Sequence, residues 1–153
     1  MRFVCDSMVG RLARWLRILG FDCLYCRKGD KAQLLRLSLG EERMILTRDR
    51  SFVDRHPEVS FHVETEHVDT QLAEIIERFD LQRKIDPFSR CSTCNAPLLL
   101  RKRSDVKGKV PFFVYQHSDR FAYCQTCKKY YWDGTHHRIM AEKIARLTKR
   151  GRE

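Results

Sequence analysis

Over residues 1–79, short apolar runs alternate with stretches of helical period. Arg2–Cys5 reads as a strand. Met8, Leu12, Trp15, Leu16 and Leu19 then recur on one face of a 3.6-residue period, with Arg11, Arg14 and Arg17 opposite. Gly20 stands where a helix-ending glycine belongs. Residues 21–26 read as a second strand. Asp30 then caps a helix through Leu34, Leu35, Leu37 and Leu39, stopped by Gly40. Residues 44–47 form a third strand, followed by Arg48-Asp49-Arg50 and a helical turn that ends before Pro57. Residues 59–63 form a fourth strand. Asp69 caps a helix through Leu72, Ile75, Ile76 and Phe79. Strands alternating with helices predict an α/β fold, a short parallel sheet between two helical layers.

The pattern changes at residues 80–90, a polar stretch containing Pro87. Beyond it the reading is β-rich: strands over 97–103, 110–117, 120–123 and 129–132, with Lys107-Gly108-Lys109 as a turn. A final helix covers 135–147 and a basic tail covers 149–152. We expect two units, 1–86 and 87–153. Charge follows this division. Residues 1–79 hold 13 basic and 13 acidic side chains, whereas residues 80–153 hold 17 and 7 and so carry the whole net charge of +10. A basic module beside a neutral one suits a nucleic-acid grip beside a separate working part. No apolar run approaches membrane-spanning length. The start of the chain meets Asp6 with no apolar signal segment, so we expect a cytoplasmic protein without membrane attachment.

Seven cysteines in a cytosolic chain favour metal binding over disulfides. Cys91-Ser92-Thr93-Cys94 and Cys124-Gln125-Thr126-Cys127 are two C-x2-C pairs, each able to present two thiolates from one tight turn. Together they predict a closed tetrahedral S4 shell for a structural Zn²⁺ at the base of a zinc ribbon. A third pair, Cys23 and Cys26, falls inside a strand pattern, where structural packing is expected. Cys5 reads as a small buried hydrophobe.

Asp6 directly follows the first strand, Asp30 opens the helix after the second, and Asp49 follows the third. In a parallel sheet these points share the carboxyl edge, where open α/β sheets bind ligands. Converging carboxylates need a counter-charge, and Mg²⁺ or Mn²⁺ suits oxygen donors and could activate water. For any one aspartate alone, helix capping is the simpler reading. A rim closed by salt bridges would make these acids structural. No GxxxxGK[ST] or GxGxxG is present, so nucleotide-cofactor chemistry is unsupported.

Residues 3–17 (Phe-Val-Cys-Asp-Ser-Met-Val-Gly-Arg-Leu-Ala-Arg-Trp-Leu-Arg) closely resemble the opening of the Mut7-C ribonuclease domain family. So do Ile45-Leu46-Thr47-Arg48-Asp49-Arg50, the knuckle around Cys91 and Cys94, and Cys124 to Cys127 running into Tyr131-Trp132-Asp133-Gly134-Thr135-His136. The resemblance implies a PIN-like three-layer sandwich followed by a zinc ribbon and a C-terminal helix. It implies Mg²⁺- or Mn²⁺-dependent RNA cleavage, endonucleolytic in our reading, with Asp6, Asp30 and Asp49 as catalytic metal ligands. Asp54 and Asp69 are spare candidates for a fourth acid. It also leaves room for a homodimer, a protein partner, or a toxin-like nuclease under a partner's control.

Arg11, Arg14, Arg17, Arg48 and Arg50 stand near these acids as candidate phosphate contacts, and Lys128 and His136 add basic groups among the aromatics of the ribbon. RNA is the expected partner. The alternative is a non-catalytic adaptor whose ribbon binds RNA or protein while the acidic edge is inert.

Overall fold

The computed structural model describes residues 1–28 and 30–149. Its first half runs β1 (Arg2–Cys5), α1 (Gly10–Ile18), β2 (Asp22–Tyr25), α2 (Lys31–Glu41), β3 (Arg43–Thr47), α3 (Arg50–Arg55), β4 (Ser60–His62) and α4 (Val68–Arg78). The strands pair in parallel in the order β2-β1-β3-β4. The chain therefore steps from β1 to one side for β2, then crosses to the other side for β3 and β4. Right-handed crossovers put helices on opposite faces when the direction reverses. Accordingly, Phe3, Cys5, Cys23 and Leu46 pack with residues of α1 and α4, while Val4 and Ile45 pack with Leu34 of α2 and Phe52 of α3. Phe3, Val4 and Cys5 are all buried, as a strand covered on both faces requires.

Local details depart from the sequence expectation. Met8 is 59% exposed and lies outside α1, in a 3-10 turn that Asp6 caps; Val9 is buried instead. The helix α2 runs through Gly40, and Glu42 adopts the left-handed conformation (φ 52°) that ends it. Asp69 does not cap α4: His67 holds that position, and Asp69 sits in the first turn, paired with Lys143. Gly20 does follow α1 in a left-handed conformation (φ 94°). A side chain there would also collide with the Asp86 carbonyl.

The second half runs β5 (Leu99–Arg101), α5 (Arg103–Val106), α6 (Phe112–His117), β6 (Phe121–Cys124), β7 (Lys129–Trp132) and α7 (Thr135–Lys149), with an antiparallel sheet in the order β5-β6-β7. The strand expected over 110–117 is the helix α6. Pro111 cannot donate to a sheet and instead opens the helix, its carbonyl accepting from the Tyr115 amide at 2.9 Å. Phe112 and Phe113 are both about seven-tenths exposed, at 73% and 70%, which no half-buried strand would give. The predicted basic tail falls on residues 149–152, whose side chains lie outside the described residues. Among the described residues no helix is long and apolar enough to cross a membrane.

The second half is fastened to the first. Ile144 and Leu147 of α7 join the core formed by α1 and α4. The connecting segment is pinned where Asp86 and Phe88 amides donate to the Leu19 and Ile18 carbonyls. A polar seam completes the contact. Arg17, only 8% exposed, donates to the carbonyls of Cys23 (2.7 Å), Thr93 (2.8 Å) and Ser92 (3.3 Å). The Asn95 side chain accepts from the Cys23 amide and donates to Asp22. Burial raises the pKa of the Asp22 carboxyl, but hydrogen bonds from Arg43 and Asn95 outweigh it and hold the pKa below its ordinary value. Replacing Arg17 with Met strands three carbonyls in this seam. Urea unfolding should show a loss of about 3 kcal/mol, and limited proteolysis should cut sooner between residues 80 and 90.

Candidate active site and metal centre

The reversal of winding at β1 leaves a crevice between the carboxyl ends of β1 and β3, a topological switch point. Asp6 stands at the end of β1 and Asp49 two residues beyond β3. Each divides its two oxygens between two tasks. Asp6 Oδ1 accepts from the Met8 amide at 3.0 Å, and Asp49 Oδ1 accepts from the Phe52 amide at 3.0 Å, so each caps a helical turn. The other oxygens turn to a common point: the Lys31 ammonium lies 3.4 Å from Asp6 Oδ2 and 3.2 Å from Asp49 Oδ2. Capping and convergence are therefore not alternatives here.

Thr47, fully buried, ties the two acids together. Its hydroxyl donates to Asp6 Oδ2 at 2.5 Å and accepts from the Asp49 amide at 3.0 Å. The Phe52 amide and Lys31 hold the Asp49 carboxyl below the usual carboxylate range. Lys31 sits over the Phe52 ring, 4.9 Å from its centroid. The rim is thus spanned by a salt bridge, but one ammonium serves two carboxylates, so it is not closed and the acids keep an uncompensated negative charge. Lys31 is 38% exposed, and water and salt screen its pairs.

Asp30 is not part of this pair. Its Oδ1 caps α2 through the Ala32 and Gln33 amides, and its Oδ2 faces Arg36 at 3.8 Å. It lies near enough to Cys26 to help raise that thiol's pKa, behind burial and ahead of Asp6. Asp54 is exposed on α3, and Asp69 is engaged with Lys143.

The four ribbon cysteines meet in a tight cluster. Their sulfurs all lie within 4.8 Å of one another, the one such group of three or more metal-ligating side chains among the described residues. Cys91 and Cys127 are 3.9 Å apart and Cys94 and Cys124 3.4 Å, near the roughly 3.8 Å that a tetrahedron of 2.3 Å bonds requires. Asn95 (φ 71°) and Lys128 (φ 53°), each just after its knuckle's second cysteine, take the same left-handed turn. The thiols resist common ionisation. Burial raises the Cys91 pKa, but hydrogen bonds from Tyr131 and the knuckle backbone outweigh it and hold it at about 6. Hydrogen bonding with Cys94 pushes Cys127 up to about 12. A cation such as Zn²⁺ would let all four ionise, and the donor set fits it.

The chain matches the family model described as the Mut7-C RNAse domain over residues 1–144. It belongs to the Mut7-C RNAse domain family. The human protein described as exonuclease mut-7 homolog is 31% identical over 112 residues, covering 69% of this chain and 13% of that protein. The chain thus spans a small part of the length of this relative. No solved structure matches it. The family and the relative support a nuclease role.

Within this Mut7-C chain the predicted RNA contacts separate. Arg17 is buried in the seam and unavailable. Arg48 pairs with Glu66 at 2.9 Å and Arg50 with Glu64 at 3.1 Å. Arg11, Arg14 and His136 line one groove of about 320 Å³ with Trp15, Ile18, Val68 and Met140. Lys128 is exposed on the second knuckle. Sequence reasoning missed Lys31 and Thr47. A threonine ending the strand two residues before Asp49, and a lysine beside Asp30, were the available signals. Cys23 and Cys26 face opposite sides of the sheet, Cys23 with Cys5 at 3.6 Å, so they form no dithiol. Chelation of a metal held by the four cysteines, or Cys127→Ser, should release hydrogen-exchange protection across β5–β7 and at the Cys23 amide that Asn95 covers, while β1, β3 and β4 stay protected; metal analysis beside the exchange experiment checks this.

Proposed function

We propose that the chain is a divalent-metal-dependent ribonuclease domain, with its first unit a PIN-like nuclease fold and its second a ribbon held by structural Zn²⁺. The observation that carries this reading is the convergence of Asp6 Oδ2 and Asp49 Oδ2 on one ammonium at the switch point of the sheet. Two carboxylate oxygens short of one positive charge are the donor chemistry that Mg²⁺ or Mn²⁺ takes. Bound there, such an ion would supply a polarised water and charge stabilisation for phosphodiester hydrolysis. The protein's own groups do the rest. Thr47 fixes Asp6 Oδ2, the caps fix both carboxyl planes, and Lys31 can pass from the acids to a substrate phosphate as a point charge. Asp30 borders the crevice as a cap, so the proposed core is Asp6 and Asp49, with Asp30 in a supporting place. Arg11, Arg14 and His136 would take phosphates from the α1 side, and Lys128 from the ribbon.

The test is cleavage of structured and single-stranded RNA with and without Mn²⁺. Asp6→Asn and Asp49→Asn should each lower metal-dependent cleavage on the order of a hundredfold while leaving RNA binding in place. Lys31→Met, which removes the competing ammonium, should bind Mn²⁺ more tightly in calorimetry. RNA binding with no cleavage under any condition would instead favour the adaptor.

A further inference from the structure

The ribbon carries a recess that the acidic crevice does not use. On one face of the β5-β6-β7 sheet, Tyr123 and Tyr130 stand directly opposite each other, ring centroids 4.7 Å apart. The Arg101 guanidinium lies 5.6 Å from the Tyr123 ring centroid. Asp105 of α5 and Lys109, just past the Gly108 turn, complete a pocket of about 470 Å³. Among the described residues neither Arg101 nor Lys109 forms an ion pair, while neighbouring Arg103 is paired with Asp119. Two residues back along β6 the exposure changes, whereas Trp132, opposite Phe121 on β7, is half-buried like Tyr130. Phe121 is buried, whereas Tyr123 and Tyr130 stay partly open to solvent. The Tyr123–Tyr130 pair thus stays partly open beside two cations that have no ion-pair partner among the described residues.

We propose that this recess holds one unpaired nucleotide of single-stranded RNA, its base on the Tyr123–Tyr130 pair and its flanking phosphates on Arg101 and Lys109. This rests on the reading of the chain as acting on RNA. Partly exposed aromatics stack bases of any identity, and adjacent unpaired cations supply the backbone contact. The Asp105 carboxylate, whose Oδ2 accepts from the Lys102 amide at 3.0 Å, keeps its other oxygen for a base amino group or a ribose hydroxyl. Stacking on the Tyr123–Tyr130 rings needs a base face that a duplex keeps inside its own stack, so the site selects unpaired segments.

Fluorescence anisotropy of labelled oligouridine and of a blunt RNA duplex, without added divalent cation, tests this on the full chain. Tyr130→Ala should weaken oligouridine binding about tenfold, and Tyr130→Phe should restore it, because the ring is retained. Arg101→Gln and Lys109→Gln should each lower the slope of log affinity against log salt by about 0.7. Zinc content measured on every variant shows that the ribbon is intact. If Tyr130→Ala and both cation variants match the parent in affinity and salt slope with zinc retained, the proposal is overturned. It is overturned equally if the duplex binds as tightly as the single strand. Failure of the nuclease reading shows elsewhere, as RNA that stays uncut with Mn²⁺ while these binding differences persist.

Discussion

Two carboxylates held side by side set the terms for the whole carboxyl edge of the sheet. The reversal of winding puts the ends of β1 and β3 next to each other, and Asp6 and Asp49 follow those ends. Neither acid can turn away, because each commits one oxygen to the helical turn it caps. The remaining two oxygens must share a cation, and Lys31 supplies a single charge. A fold that only needed helix caps could have used Asn or Ser at both positions, since these cap as well without like-charge repulsion. Two charged caps tied through one buried threonine are therefore costly as structure alone, which is what favours the proposed cation site.

The same economy joins the two halves. The ribbon is small and would bury little alone; a polar seam fastens it to the sheet, and its four cysteines could hold a metal at its base. Arg17 is central to the seam, since one guanidinium meets carbonyls from β2 and from the first knuckle. Asn95, held in a left-handed turn by the knuckle, reaches back to the edge strand at Cys23 and Asp22. The metal-binding turn and the domain contact are one piece of backbone. Loss of the metal would loosen the seam as well as the ribbon.

Much of this was legible in the sequence, and most of what was not depends on contacts far along the chain. The alternation of strands and helices, the two cysteine knuckles and the aspartates after β1 and β3 are local patterns, and local patterns read directly. Arg17 was read as part of an exposed basic face because its helical position is opposite the apolar stripe. What buries it is a ribbon some 75 residues on, invisible to periodicity. Residues 110–117 looked like a strand by composition, yet Pro111 and a local helix win where no strand is on offer. Asp30 and Asp49 have the same sequence credentials as caps. Only the crossing of the chain over β1 decides that Asp49, and not Asp30, meets Asp6.

The distribution of ion pairs then says where a polyanion could be held. The arginines flanking Asp49 in the sequence, Arg48 and Arg50, already face Glu66 and Glu64, so a phosphate there would have to displace a carboxylate. Arg11 and Arg14 on α1 form no ion pair among the described residues, and neither do Arg101 and Lys109 on the ribbon. On the proposed reading, an RNA strand would be gripped at these points and not by the acids themselves. Its phosphodiester would then enter a site that remains net negative, which is unfavourable without a divalent cation. On this reading, grip and chemistry would fall to different groups, and a cation would be needed because the acids outnumber Lys31: without the ion they would repel the backbone that the unpaired arginines and lysine attract.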